Sequence, residues 1–393
     1  MKQKSFLWTS ECVSPGHPDK LADQISDAML DAYLEQDSYS KVACETLISP
    51  GKVIVAGEVT SDASFDEDEV ILRAIYEAGY DSSKYEVIKN INTQSLEISS
   101  AVTGGGKSSV IGAGDQGMMF GYATNETPTF MPSAIFLSRS IIDSLVLSRT
   151  DESLDFLRPD SKSQVTMRYV GDKPIEIDTI LISTQHSGSI GLDELRGSIL
   201  LNIVKKTIDS CPNDISSLYT KNTKVIINPA GIWTIGGPDA DVGLTGRKIV
   251  VDNYGADCPI GGGAFSGKDP TKVDRSAAYA SRYIAKSLVC GGVARKARVQ
   301  VSYAIGIENP VSVTVDTFGT STTGLTDNEI SEAIAAICPL SVGDIIDKFQ
   351  LRNPIYRVTA RDGHFGINPY RLNGISYYTW EETSDSDDIQ SLI

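Results

Sequence analysis

The strongest constraint on the fold is a pattern of strands and a helix that occurs three times along the chain. In its first copy, β-rich runs at 41–48 and 53–60 flank Pro50 and Gly51, which is typical of a hairpin. A helix with apolar residues three and four positions apart follows this hairpin. The other copies are strand 175–184, helix 192–209 and strand 224–235, and then strands 298–305 and 311–318 with a helix near 327–338. The sequence therefore predicts an α+β protein of three similar units.

The length and charge of the chain restrict what it can bind. Its 393 residues correspond to two or three domains at roughly 150 residues each. Lysine and arginine number 35 against 51 aspartates and glutamates, a net charge of −16 that would repel a phosphate backbone. No apolar run approaches the ~20 residues of a membrane span, and residues 1–20 lack the apolar core of a signal peptide. We therefore expect a cytoplasmic protein that binds neither nucleic acid nor membranes.

The cysteines and histidines indicate what kind of metal the chain can hold. The six cysteines are far apart in sequence, without a C-x-x-C pair, and the histidines number only three. This pattern predicts neither a zinc site nor a disulfide framework, so the thiols are expected to be reduced and mostly buried. Any bound metal is therefore expected to be a hard cation held by oxygen.

A glycine-rich segment at 261–269, GGGAFSGKD, has the composition of an anion-binding loop. It satisfies G-x-x-x-x-G-K from Gly262, but Asp269 stands where a P-loop needs a magnesium-binding serine or threonine. Glycines still allow backbone N–H groups to approach an anion, and Lys268 adds a positive charge. The segment therefore predicts phosphate binding, with a tight turn carrying a surface lysine as the alternative.

Basic residues in polar, turn-rich contexts lie beside carboxylates in three parts of the sequence. They are Arg158 and Lys162, Arg247 and Lys248, and Lys268 and Lys272, with the carboxylates Asp160, Asp241, Asp269 and Asp274. Solvated surface charge is the alternative for each of them taken singly. Together, in a chain this acidic, they predict a site for a polyphosphate and a hard metal.

The first hairpin and the helix before it predict where four polar side chains lie. Centring the turn at 50–51 places Glu45 and Glu58 on one face of the sheet. Two carboxylates on a partly apolar face need a cation, either a metal ion or a substrate ammonium, and an exposed face with two ordinary acids is the alternative. Apolar residues with helical spacing follow His17 and Asp19, which are therefore predicted at a helix N-terminus.

Six segments occur in a fixed order between about Ser10 and about Gly366. They are GHPDK (16–20), GAGDQGMMFGYATNE (112–126), RPDSKSQV (158–165), IGGPDADVGLTGRK (235–248), GGGAFSGKD (261–269) and VDRSAAYASRY (273–283). Together they closely resemble S-adenosylmethionine synthetases, also called methionine adenosyltransferases. GAGDQG and GGGAFSGKD are highly specific signatures of that family.

The resemblance implies an activity and an architecture. Family members convert L-methionine, ATP and water to S-adenosylmethionine, phosphate and pyrophosphate. Sulfur attacks C5′ of ATP, and the expelled triphosphate is hydrolysed in the same site. Members use two Mg²⁺ and one K⁺ per site, and they form homodimers or homotetramers whose sites are shared between subunits.

The fold of the family has three similar domains, each a mixed or antiparallel sheet with helices on one face, in a pseudo-threefold arrangement. We expect these domains at 1–105, 106–232 and 233–382, with segments that can interleave. An acidic tail at 383–393 is expected to be frayed.

The resemblance also assigns roles to individual residues. The expected catalytic residues are His17, Lys162, Arg247 and Lys268. The expected ATP-binding residues are His17, Asp160, Lys162, Trp233, Asp241, Arg247, Lys248, Ala264 and Lys268, and the expected methionine-binding residues are Glu58, Gln94, Asp115, Asp241 and Lys272. Asp19 and Asp274 are expected to bind Mg²⁺, and Glu45 to bind K⁺.

The chain departs from the family pattern at four places. Pro15 replaces an acidic residue before GHPDK, and Ile260 replaces a common histidine before GGGAFSGKD. Arg361 and Asp362 replace Ala-Tyr before GHFG, and the loop after Gln94 and Ser95, LEISSAVTGGGKSS, differs from the usual version. Two other functions are weighed against the transferase: a nucleotide hydrolase that uses Gly262–Lys268 as a degenerate phosphate loop, and a non-catalytic subunit that regulates a partner.

Overall fold

The computed structural model describes residues 4–93, 111–383 and 386–392. Its strands are β1 (Ser5–Val13), β2 (Lys41–Ser49), β3 (Lys52–Thr60), β4 (Glu86–Asn92), β5 (Gly117–Thr124), β6 (Leu157–Val170), β7 (Lys173–His186), β8 (Lys224–Ile227), β9 (Gly243–Leu244), β10 (Lys296–Tyr303), β11 (Ser312–Asp316), β12 (Tyr370–Leu372) and β13 (Ile375–Tyr377). Its helices are α1 (Pro18–Gln36), α2 (Glu67–Glu77), α3 (Ser133–Thr150), α4 (Leu192–Ile199), α5 (Lys206–Ser210), α6 (Asn213–Ser216), α7 (Ile249–Asp252), α8 (Val273–Cys290), α9 (Asp327–Ile337), α10 (Val342–Lys348), α11 (Arg357–Asp362) and α12 (Ser386–Leu392).

Three larger sheets carry the architecture. The first has the strand order β4-β3-β2-β9, with β3 and β4 parallel and the other pairs antiparallel. The second has the order β1-β6-β7-β8, with one parallel pair, and the third is the antiparallel sheet β11-β10-β5. The predicted α+β class with mixed and antiparallel sheets is confirmed.

Strands from distant parts of the chain complete each sheet. β1 pairs with β6, β5 pairs with β10, and β9 pairs with β2. The three sheets are therefore tied together by the chain itself, and the second half of the chain reaches the edge of the first sheet.

The hairpin of the first sheet has the predicted register. Glu45 lies opposite Ala56 and Glu58 lies opposite Ala43. Residues of β2 alternate between buried and more exposed positions, as expected for a sheet with one covered face. Helices α1 and α2 lie on the covered side, so Glu45 and Glu58 lie on the open side.

Two predictions about secondary structure are wrong. The strand predicted at 224–235 ends at Ile227, because Asn228 has a φ of 43°. The Asn228 side chain accepts a hydrogen bond from the Thr184 amide and donates one to the Thr184 carbonyl. Pro229 then follows, and it has no N–H to donate to a sheet. The tail was expected to be frayed, yet α12 is helical and buries Ile389, because that apolar side chain packs on the core.

Helix α1 carries aspartates at a spacing of four residues, which places them along one side of the helix. Their carboxylates accept hydrogen bonds from four loop amides: Asp19 from Leu244 (3.0 Å), Asp23 from Gly246 (2.9 Å), Asp27 from Gly267 (2.8 Å) and Asp31 from Tyr356 (3.0 Å). This aspartate row fixes loops that are more than 200 residues away in sequence, and two of these loops carry predicted site residues.

Candidate active site

His17 caps the N-terminus of α1 and is buried. Its Nδ1 accepts a hydrogen bond from the amide of Asp19 at 3.2 Å. Burial, followed by the charges of Lys248 and Lys162, lowers the pKa of His17 to about 3. The ring is therefore neutral near pH 7. Because Nδ1 accepts a hydrogen bond, the proton is on Nε2, and this N–H can donate a hydrogen bond.

Asp19 lies beside two cations. Its Oδ2 is 2.5 Å from the Lys248 ammonium, and its Oδ1 accepts the Leu244 amide and lies 3.6 Å from Nε of Arg247. Burial opposes ionisation of this carboxyl group, but the hydrogen bonds from Lys248 and Leu244 outweigh it, so the pKa of Asp19 lies below its usual value. The N-terminus of α1 thus combines a neutral imidazole, a carboxylate and two cations.

Asp160 has an unused hydrogen-bond acceptor. The carboxylate is buried, and Oδ2 accepts the Gly237 amide at 2.8 Å, whereas Oδ1 has no hydrogen-bond partner in the part of the chain that the structure describes. Burial raises the pKa of Asp160 to about 6 despite the Gly237 hydrogen bond. A buried acceptor of this kind is normally satisfied, so Oδ1 is free to accept a hydrogen bond from a bound molecule.

A second group of charges lies on the glycine-rich loop 261–269. Lys268 Nζ is 2.6 Å from Asp274 Oδ2, and both side chains are partly exposed. The loop is joined to β2 by hydrogen bonds from Cys44 to Gly267 and from Asp269 to Val42, each 3.0 Å long. Gly267 has a φ of 79°, and a Cβ there would lie 1.8 Å from the Cys44 carbonyl oxygen, so only glycine allows this approach.

Asp269 explains why this loop is not a P-loop. Its buried carboxylate accepts hydrogen bonds from the Val42 amide (2.7 Å) and from the amide (2.9 Å) and hydroxyl (2.6 Å) of Thr271, and it forms an ion pair with Lys272. Burial opposes its ionisation, but Lys272 and Lys41 outweigh burial and keep the pKa of Asp269 below its usual value. Asp269 therefore anchors the loop, and it holds the Lys272 ammonium that was predicted to orient methionine.

A fully buried ion pair supports the same loop from beneath. Both oxygens of Asp27 accept hydrogen bonds from Arg275, each at 2.7 Å. Arg275 also donates to the carbonyls of Phe265 (3.0 Å) and Lys268 (3.3 Å), while Asp27 accepts the Gly267 amide. No sequence motif predicts this pair, although the aspartates of α1 are spaced four residues apart.

The two groups of charges contact different points on one edge of β2. Lys268 bridges Ala43, and Leu244 pairs with Leu47. These points are four residues apart, or about 13 Å at the rise of a strand. Glu45 lies between them on the open face and is exposed.

The structure also locates the other predicted site residues. Exposed side chains are those of Glu58, Asp115, Lys162, Asp241 and Arg247, and half-buried ones are those of Trp233 and Ala264. Asp115 and Asp241 each accept the amide of the next residue, at 2.7 and 2.9 Å. The Trp233 amide donates to Nε2 of His186 at 3.1 Å, which fixes the tryptophan backbone. Gln94 and the loop after it lie outside the described residues.

Carboxylates at the site are single rather than clustered. Over 4–93, 111–383 and 386–392, no group of three or more His, Cys, Asp or Glu side chains is arranged to hold a metal ion. Asp19 and Asp274 each lie beside a lysine. Mg²⁺ is commonly held by one or two carboxylates together with substrate phosphates, so single aspartates beside lysines fit that ion. Within the same ranges, no helix is long and apolar enough to cross a membrane.

The fold and the site first define a class: an α+β enzyme with three connected sheets, in which loops place lysines and arginines beside aspartates. Family models for S-adenosylmethionine synthetase match three consecutive parts of the chain, the N-terminal domain at 5–103, the central domain at 110–233 and the C-terminal domain at 235–382. The chain is 47% identical to the S-adenosylmethionine synthase of Helicobacter hepaticus, with 99% of both chains aligned. It is 45% identical to that of Wolinella succinogenes, over 99% of this chain and 98% of the relative. The chain therefore belongs to the S-adenosylmethionine synthetase family and is a transferase of S-adenosylmethionine biosynthesis, as the sequence resemblance predicted.

Proposed function

We propose that the chain joins ATP and L-methionine by direct attack of the methionine sulfur on C5′ of ATP, and then hydrolyses the bound triphosphate to phosphate and pyrophosphate. The observation that carries this proposal is the neutral, buried His17 beside Asp19, Lys248 and Arg247. A thioether has no proton to lose, so the first step needs no general base. The departing triphosphate needs stabilisation of its negative charge instead.

His17 is the proposed donor to the leaving oxygen. Its Nε2–H can donate a hydrogen bond to the 5′ oxygen as the C5′–O bond breaks, and the proton stays on the ring. Lys162, whose charge already acts on His17, would approach the same oxygen. Arg247, Lys248 and Lys268 would bind the triphosphate.

Asp19 and Asp274 would hold two Mg²⁺ ions, and Glu45 would hold one K⁺. Bound divalent ions neutralise phosphate charge and orient the leaving group. Asp19 forms an ion pair with Lys248, and Asp274 forms one with Lys268. Metal ions at the carboxylates would displace these lysines, which would then bind the phosphates.

The remaining assignments concern the adenosine and methionine groups. We propose that Asp160, Trp233, Asp241 and Ala264 contact the nucleoside, and the unpaired Oδ1 of Asp160 suits a nucleoside hydroxyl or amino group. Glu58, Gln94, Asp115, Asp241 and Lys272 are proposed to orient methionine. Glu58 and Asp115 are exposed and suit its ammonium, whereas Lys272 would first have to leave Asp269.

We further propose that each site is shared by two subunits of a dimer or tetramer. The support is that the two loops meet β2 at points about 13 Å apart, and that Lys248 pairs with Asp19 whereas Lys268 pairs with Asp274. Pairing the open faces of two first sheets would bring a group from each chain together and cover Leu47 and Ile54. A reducing cytoplasm is the proposed location, since all six cysteines are free thiols.

One assay distinguishes this function from the alternatives. The purified chain is incubated with ATP, Mg²⁺ and K⁺, with and without L-methionine, and the sulfonium product, phosphate and pyrophosphate are measured. The proposal predicts equal amounts of all three, dependent on methionine. Phosphate release without methionine would indicate a nucleotide hydrolase, and no product under either condition would indicate a non-catalytic subunit.

A further inference from the structure

We infer a second ligand site, for an aliphatic ω-amino acid, in a cavity on the helical side of the molecule. The cavity has a volume of about 380 Å³ and lies between α1, α3, α7 and α11. This size is within the range of small-molecule sites. None of the residues proposed to bind ATP, methionine or metal lines it, so this inference does not rest on the proposed function.

One face of α3 supplies most of the chemistry of the cavity. Ile142, Asp143, Val146, Leu147 and Arg149 all line it, at the three- and four-residue spacing of a helix face. Apolar side chains from other elements, Val13, Ala78 and Val251, complete the wall. The cavity therefore offers an apolar channel with charged groups along it.

Most charged groups of the lining already have partners. Lys20 is paired with Asp23 (3.2 Å) and Asp252 (2.5 Å), Arg361 with Asp362 (2.6 and 2.7 Å) and Glu77 with Arg357 (2.5 Å). The Arg139 guanidinium donates to the carbonyls of Phe365, Val251, Asp252 and Asn253. These groups form the frame of the cavity and are not available to a ligand.

Two charged groups are left over. Among the residues that the structure describes, Arg149 and Asp143 have neither a hydrogen bond nor an ion pair. Arg149 is half-buried, and burial lowers the pKa of its guanidinium. Asp143 is exposed and lines the same cavity. A carboxylate would satisfy Arg149, and an ammonium would satisfy Asp143.

The order of these groups selects the ligand. Asp143 and Arg149 are six residues apart on α3, or about 9 Å along the helix axis, and long helical side chains such as Arg149 lean towards the N-terminus and shorten this gap. Val146 and Leu147 lie between the two charges. An α-amino acid carries both charges on one carbon, whereas an ω-amino acid carries them at the two ends of an aliphatic chain. The ω-amino acid therefore matches the sequence of anion, apolar wall and cation.

The lining also includes departures from the family pattern. Pro15 stands where the family has an acidic residue, and Arg361 and Asp362 stand where it has Ala-Tyr. An alanine and a tyrosine at these positions could not form the ion pair that Arg361 and Asp362 form at the cavity. The frame of the cavity therefore differs from the family pattern at these three positions.

The test is calorimetric titration of the whole protein with 6-aminohexanoate. Hexanoate, hexylamine and leucine serve as probes that lack the ammonium, lack the carboxylate or place both charges on one carbon. We expect saturable binding of 6-aminohexanoate and at least tenfold weaker binding of the other three, since each loses a charge-assisted contact. Absence of saturable binding at millimolar concentration, or equal binding of any of the three, would overturn the inference.

Variants locate the bound probe. Arg149→Gln and Asp143→Asn should each weaken 6-aminohexanoate binding at least tenfold. Val146→Phe should abolish it by filling the cavity while both charges stay. Arg73→Gln removes an exposed charge on α2 outside the cavity and is the matched control, so its affinity should equal that of the unsubstituted protein. Unchanged affinity in Arg149→Gln and Val146→Phe would show that the probe binds elsewhere.

Discussion

Asp27→Asn tests whether the buried pair beneath the glycine-rich loop positions Lys268. The substitution removes the negative charge that two hydrogen bonds of 2.7 Å tie to Arg275, and it leaves this guanidinium charged at 0% exposure. Breaking a buried ion pair on one side costs about 3–5 kcal/mol of folding free energy. Loss of stability alone would not identify a positioning role, so a matched control is needed.

The chain offers such a control on the same helix. Arg282 lies seven residues after Arg275 on α8 and forms an equally buried pair with Glu381, at 2.9 and 3.0 Å. Glu381 also accepts the Gly366 amide at 2.7 Å and pairs with the buried Lys286 at 2.9 Å, and it lies outside the candidate site. Glu381→Gln should therefore lower the free energy of unfolding by at least as much, about 3–5 kcal/mol or more, because it leaves two buried cations.

Activity should separate the two variants. In Asp27→Asn, Arg275 loses the carboxylate that orients it, and its hydrogen bonds to the carbonyls of Phe265 and Lys268 lose their fixed geometry. A displacement of about 1 Å at a catalytic group costs on the order of 10²-fold in rate, so kcat for sulfonium formation should fall by that factor. Glu381→Gln should keep kcat close to that of the unsubstituted protein.

Both variants are compared at a temperature where circular dichroism shows each to be folded, with unfolding measured in urea. Hydrolysis of added tripolyphosphate is measured as well, because Lys268 is proposed to bind the triphosphate. Equal kcat in the two folded variants, whether reduced or normal, would refute the positioning role.

Three further predictions concern His17 and Lys268. Lys268→Ala should lose about 10²–10³-fold in turnover, the scale of one preorganised charge stabiliser, and near-normal sulfonium formation would remove Lys268 from the site. His17→Ala should reduce sulfonium formation more than hydrolysis of added tripolyphosphate, because its proposed hydrogen bond is to the ribose oxygen, whereas equal losses would indicate a folding or metal-binding defect. The third prediction is a pH dependence: His17 has a pKa of about 3 when folded and near 6.5 when unfolded, so the unfolded chain binds the extra proton and stability falls as pH drops from 6.5 to 3. His17→Ala should flatten this slope by up to about 1.4 kcal/mol per pH unit in urea titrations, and an unchanged slope would contradict a neutral His17.

Local signals predicted the first hairpin and α1 well. A proline and glycine at the turn determine the register that places Glu45 and Glu58 together, and a capping residue followed by helical spacing determines where α1 begins. The strand predicted at 224–235 failed because Asn228 gains more from bonding the backbone of Thr184 than from extending the sheet.

Long-range contacts in the site were beyond sequence reasoning. Asp27 and Arg275 are 248 residues apart, and nothing local to either residue names the other. The motifs nominated Lys272 for methionine, but its ion pair with Asp269 depends on how the loop folds onto β2. Pairings of this kind require the three-dimensional structure, because the chemistry of each residue allows many partners.

The shared site is tested most directly by mixed dimers of two inactive chains. In our account one protomer supplies His17, Asp19, Lys162, Arg247 and Lys248, and its partner supplies Glu58, Asp115, Lys268 and Lys272. Differently tagged His17→Ala and Lys268→Ala chains are refolded together, and the mixed species is confirmed through both tags. A mixed dimer should hold both lesions in one site and leave the other intact, so random pairing should restore activity to about a quarter of the unsubstituted protein. Mixed dimers that form and stay as inactive as either parent would contradict the shared site.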